Sequence, residues 1–112
     1  MPSDRFVYTK EPVTLETVRA DLREFMSGVG HEQPFAHNVC RMWWRLPGDN
    51  QNRMRKLEPN HPDSKVRMIE VFVSERSIDV MTRDQDEFVD ALADGFARRM
   101  ARAYGSTPDF ER

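Results

Sequence analysis

The stretch Lys65–Arg83, KVRMIEVFVSERSIDVMTR, decides the fold. Apolar and polar residues alternate along both halves, the period of a strand with one buried face. With Glu75-Arg76 as turn centre, Ile69, Val71 and Val73 on the first strand share a face with Ile78 and Val80 on the second. The back of the hairpin then carries Met68, Glu70, Phe72, Asp79 and Met81. The dipeptide Glu75-Arg76 is not a favoured two-residue turn, and a four-residue loop Ser74–Ser77 that shifts the register by one fits equally.

Downstream, the spacing of Phe88, Val89, Leu92, Ala93, Phe96, Ala97, Met100 and Tyr104 predicts an amphipathic helix over about 84–104. Asp84, Asp86, Glu87 and Asp90 at its start and Arg98, Arg99 and Arg102 at its end complement the helix dipole. Gly105 stops it, and the polar tail 106–112 is expected to fray. Upstream, Leu15, Val18, Leu22, Phe25, Met26 and Val29 form another helical stripe. Thr14 is its N-cap, Val13 and Val18 form a hydrophobic staple, and Gly28 or Gly30 ends it.

The run Ala36–Leu46, AHNVCRMWWRL, is rich in β-formers and reads as a strand closed by Pro47-Gly48. Alternation puts Cys40, Met42, Trp44 and Leu46 inward and His37, Val39, Arg41, Trp43 and Arg45 outward. Phe6–Thr9 is too short to be more than an optional strand, and 47–64, with three prolines and few apolar residues, reads as one long loop. The expectation is one α+β domain over 1–112 in two layers. An antiparallel sheet of three to four strands carries two amphipathic helices, in the order βαβββα or αβββα.

A single core is what 112 residues support. A lone Cys40 excludes an internal disulfide, and neither a basic-then-apolar leader nor a run of about 18 apolar residues is seen. A cytoplasmic location without a membrane is the corresponding expectation. The net charge of −2 is unevenly placed: 31–67 has an excess of three positives, and 70–94 is acidic.

His31, His37, His61 and Cys40 match no zinc spacing, the glycines form no phosphate loop, and the clustered carboxylates are explained by the helix dipole. Neither metal, cofactor nor enzymatic activity is therefore expected. A Cys–His nucleophilic pair would require His37 or His61 beside Cys40. The tripeptide His61-Pro62-Asp63 is similar to the one J-domain cochaperones use, but Pro59 interrupts the helix that should precede it and VRMIEVFV reads as strand, so no function follows. The element order also resembles a double-stranded-RNA-binding domain, which implies basic residues at the start of the last helix. Asp84, Asp86, Glu87 and Asp90 stand there instead.

Two binding functions remain. With both helices on the Ile69–Val80 face, the other face would present Met68, Phe72, Met81 and Trp43 to another protein or a second copy of the chain. The expected role is a non-enzymatic interaction module. A small phage or bacterial accessory protein that modulates a larger machine, acting as a homodimer, would fit it. The alternative is RNA or single-stranded nucleic acid. Trp43 would stack a base, and Arg41, Arg45, Arg53, Arg55 and Lys56 would meet phosphates.

Overall fold

The computed structural model describes residues 2–33, 40–52, 66–83 and 85–111. The elements are β1 (Pro2–Tyr8), α1 (Leu15–Met26), β2 (His31–Gln33), β3 (Arg41–Asp49), β4 (Val66–Ser74), β5 (Ser77–Arg83), α2 (Glu87–Ala103) and β6 (Asp109–Glu111). They form one antiparallel sheet in the order β2-β3-β4-β5-β1-β6, with α1 against β3 and β4 and α2 against β1, β5 and β4.

The hairpin forms in the register set by Glu75-Arg76: Ser74 opposes Ser77, Val73 opposes Ile78 and Val71 opposes Val80. Neither turn residue has positive φ, so the turn lacks the primed geometry that matches strand twist. Bonds from the segment after β1 support it instead. Thr9 N–H donates to Arg76 O at 2.9 Å and Val13 N–H to Glu75 O at 3.0 Å.

The side facing the helices is dry. Met42, Trp44, Leu46, Ile69, Val71, Val73, Ile78, Val80 and Val7 bury against Leu15, Val18, Leu22 and Met26 of α1 and Val89, Ala93, Phe96, Ala97 and Met100 of α2. Trp44 is the inward tryptophan, and its indole N–H donates to Val29 O at 3.0 Å. The small side of α2 lets the helices meet, with Phe25 and Phe96 rings 5.6 Å apart. A Cβ on Gly95 would sit 3.1 Å from the Phe25 ring. Thr14 caps α1 as expected, its hydroxyl accepting from Thr17 N–H at 3.3 Å, and Val13 and Val18 are both in the core. Ser27, at φ 48°, rather than a glycine closes the helix.

The sheet has six strands, not three to four, and the order βαββββαβ differs from both expected orders. The additions are edge or end strands whose pairing compensates for a short or polar sequence. Three-residue β2 pairs with β3 and is pinned to α1, where Arg19 Nε donates to Glu32 at 2.9 Å. The tail expected to fray forms β6 on the outer edge of β1; its Phe110 packs on the core and lies under Arg98, 5.0 Å from guanidinium carbon to ring centre. β1 is a full seven-residue strand paired along its length with β5.

Pro47-Gly48 does not terminate β3. A register shift between Leu46 and Asp49 absorbs both residues, with Gly48 at φ +85° and the Arg67 guanidinium donating to Pro47 O at 3.3 Å. The expected loop 47–64 is thus strand to Asp49, followed by buried Asn50; residues 53–64 of it lie outside the described residues.

The expected explanation of the α2 carboxylates also needs correction. α2 starts at Glu87, not at 84, with Asp86 as N-cap accepting from Val89 N–H at 3.1 Å. Asp86 is buried and also accepts from Arg67 at 2.8 Å and from Gln51 N–H at 3.0 Å. Burial alone would raise its pKa, but these donors together hold it below the ordinary carboxylate value. Asp90 and Asp94 face the sheet and clasp Arg5, whose side chain is wholly buried under α2. Arg5 also reaches Thr82 Oγ1 at 3.3 Å and Val80 O at 3.4 Å, and Thr82 donates to Asp90 at 2.7 Å. Charge inside the core therefore fastens β1 to α2.

Candidate interaction surface on the open face of the sheet

Because directly opposed residues of antiparallel strands share a face, the register places the second side of the sheet in cross-strand rows. One row reads Arg41, Phe72, Asp79, Phe6 and Asp109 from β3 to β6. The next reads Gln33, Trp43, Glu70, Met81 and Asp4. A third holds His31, Arg45 and Met68, with Arg83 one strand further on.

The surface residues expected from the sequence, Met68, Phe72, Met81 and Trp43, all lie here and all are half-buried. Arg41 and Arg45 flank Trp43 on the same face. Arg53, Arg55 and Lys56 lie outside the described residues, as do His37 and His61. Cys40 sits just before β3, its carbonyl accepting from Val73 N–H at 2.7 Å. Among the described residues no group of three or more His, Cys, Asp or Glu could hold a metal ion. No helix among them is long and apolar enough to cross a membrane.

Electrostatics divide this face from side to side. On the β3 side, the Arg41 guanidinium stacks 5.2 Å from the Phe72 ring centre and pairs with Glu70 at 3.2 Å. Glu70 is buried at 8% exposure, and Arg83 approaches its other oxygen at 3.6 Å. On the β1 side, Asp4, Asp79 and Asp109 gather with no cation between them in the rows. Burial pushes the Asp79 carboxyl up to about 7, helped by the charge of Asp4, a hydrogen bond shared with Asp4 and the charge of Glu70, against a backbone hydrogen bond from Arg5. One Asp79 oxygen, Oδ1, is buried without a partner.

Sequence reasoning missed the β1 part of this surface: Asp4, Phe6 and Tyr8, with the Phe6 and Tyr8 rings stacked 6.2 Å apart. The signal was present but inverted. In Asp4-Arg5-Phe6-Val7-Tyr8 the aromatic residues suggest the inward face, whereas buried Arg5 and Val7 occupy it and Tyr8 is 55% exposed.

Searches of protein-family models, curated proteins and solved structures returned no match to this chain, so the surface is interpreted from its own chemistry.

Proposed function

We propose that this protein is a non-enzymatic interaction module that docks another protein, or a second copy of itself, on the open face of its sheet. The observation that carries the reading is the division of the sheet. One side is dry under two helices, while the other sets Trp43, Met68, Phe72, Met81 and Phe6 side by side, half-buried, between charged margins. Aromatic residues, methionine and arginine are the types enriched at the centres of protein interfaces. A charge at Phe72 should abolish docking without touching the core, because that side chain points away from both helices. Phe72→Asp is expected to remove the complexes formed by the wild type, read by sedimentation and cross-linking, with an unchanged circular dichroism spectrum. Complexes that persist in Phe72→Asp refute the proposal.

Single-stranded nucleic acid is the second reading, and the outward alternation of Arg41, Trp43 and Arg45 along β3 supports it. Glu70, Asp79, Asp4 and Asp109 on the same face oppose it by repelling phosphate. It requires tryptophan fluorescence quenching by oligonucleotides that fades steeply with salt, and unaltered fluorescence at low salt removes it.

A further inference from the structure

We infer that the occupant of the open sheet face is a second copy of this chain, packed face to face about a twofold axis that runs parallel to the strands between β4 and β5. The inference rests on the reading of this face as an interaction surface and names its partner.

Arginines and acids dominate opposite margins, while Glu70 on β4 and Arg83 on β5 approach each other at 3.6 Å near the centre. Arg41 and Arg45 project from β3, and Asp4 and Asp109 from β1 and β6, with β4 and β5 between. A rotation about an axis along the strands exchanges left and right. β3 of one copy then lies over β1 of the other, setting Trp43 over the partner's Asp4 with Arg41 and Arg45 one row to either side of it, and the same contact recurs by symmetry. β4 meets the partner's β5, which gathers Met68, Phe72 and Met81 of both copies about the axis. An axis running across the strands would instead place β3 over β3 and β1 over β1, arginine margin on arginine margin and acidic margin on acidic margin. The charge pattern therefore selects one of the two twofold arrangements.

Size agrees. Six strands about 4.8 Å apart and three rows about 7 Å apart make a patch of roughly 25 Å by 20 Å, or about 1,000 Å² over two copies. That lies just below the about 1,200 Å² of standard specific interfaces, in the range of weak, transient dimers. Sheets stacked about 10 Å apart leave room for half-buried Phe72 and Trp43 side chains to interdigitate.

The test is sedimentation equilibrium of the full chain from about 1 µM to about 500 µM, on the wild type, Asp4→Lys, Arg45→Glu and the double variant. Arg45 is exposed and Asp4 lies on the open face, so neither substitution enters the core. Each single variant is expected to weaken the dimer about tenfold or more, and the double variant to restore it, because reversed charges then face each other across both symmetric contacts. A dimer indifferent to these changes lies on another surface and overturns the inference. A wild type that stays monomeric also overturns it, and acrylamide quenching of tryptophan fluorescence then separates the two readings. Efficient quenching of Trp43 leaves an open docking face whose occupant is not a second copy, whereas a shielded Trp43 removes the docking face as well.

Discussion

Replacing Asp79 with asparagine should make the protein more stable at neutral and alkaline pH, and the size of the effect follows from the position of the carboxyl. Asp79 lies between Phe72 and Phe6 in its row, next to Asp4, and its pKa is raised by burial and by that neighbour from 3.8 to about 7. A group whose folded value exceeds its unfolded value favours the folded state when protonated. Its contribution is therefore complete below about pH 4 and is lost as pH rises to about 7. A shift of about three units corresponds at most to about 4 kcal/mol; for a half-buried group partly screened by water, about 1–2 kcal/mol is expected. Asparagine carries no charge at any pH, and its amide can donate to the Asp4 carboxylate. Urea denaturation of wild type and Asp79→Asn at about pH 4 and about pH 8 measures the effect. The difference between the two proteins should be small at the lower pH and about 1–2 kcal/mol in favour of asparagine at the higher. Because the Asp4 charge helps to raise the Asp79 carboxyl, Asp4→Asn should give part of the same gain, and the two gains should not add. A difference independent of pH, or a wild type that gains stability relative to the variant as pH rises, would refute the reasoning.

Two further predictions concern the interior and the β2–β3 edge. Arg5→Ala leaves Asp90 and Asp94 beneath α2 without their cation and opens a cavity, and is expected to cost about 3–5 kcal/mol in denaturant unfolding. A loss under about 1 kcal/mol would show that the clasp carries no stability. Gly30 and Gly28 both have positive φ, but a Cβ on Gly30 would lie 2.3 Å from Arg45 O whereas one on Gly28 meets open space. Thermal melting should therefore separate them, with Gly28→Ala costing about 1 kcal/mol and Gly30→Ala clearly more, since backbone must move.

The parts of the fold that could be read beforehand are those where one segment carries its own pattern. The alternation of the hairpin strands, the Thr14 cap and the inward place that alternation gives Trp44 follow from local pattern, and the structure has them; of the two hairpin registers that the turn left open, it takes the one centred on Glu75-Arg76. The outward placement of Met68, Phe72, Met81 and Trp43 follows for the same reason. The parts that could not be read depend on a distant partner. His31–Gln33 and Asp109–Glu111 are too short and too polar to announce strands, and they become strands because β3 and β1 offer edges to pair with. Pro47-Gly48 resembles a terminator, yet a bulge beside Arg67 carries the strand past it.

The sequence alone determined the periodicities: two helical stripes, one alternating hairpin and a tryptophan-rich strand, which fix an α+β domain and assign each residue of those segments a side. Periodicity is a local property, set by backbone geometry within a few residues. Tertiary structure decided how many strands join the sheet, that an arginine rather than an aromatic residue of β1 faces the core, and that acids and arginines end on opposite margins of the open face. Each depends on which segments pair across the chain. The pairing is held by cross-strand hydrogen bonds, by burial of apolar side chains such as Val7, and by Asp90 and Asp94 meeting Arg5 across more than eighty positions, contacts that no local pattern encodes.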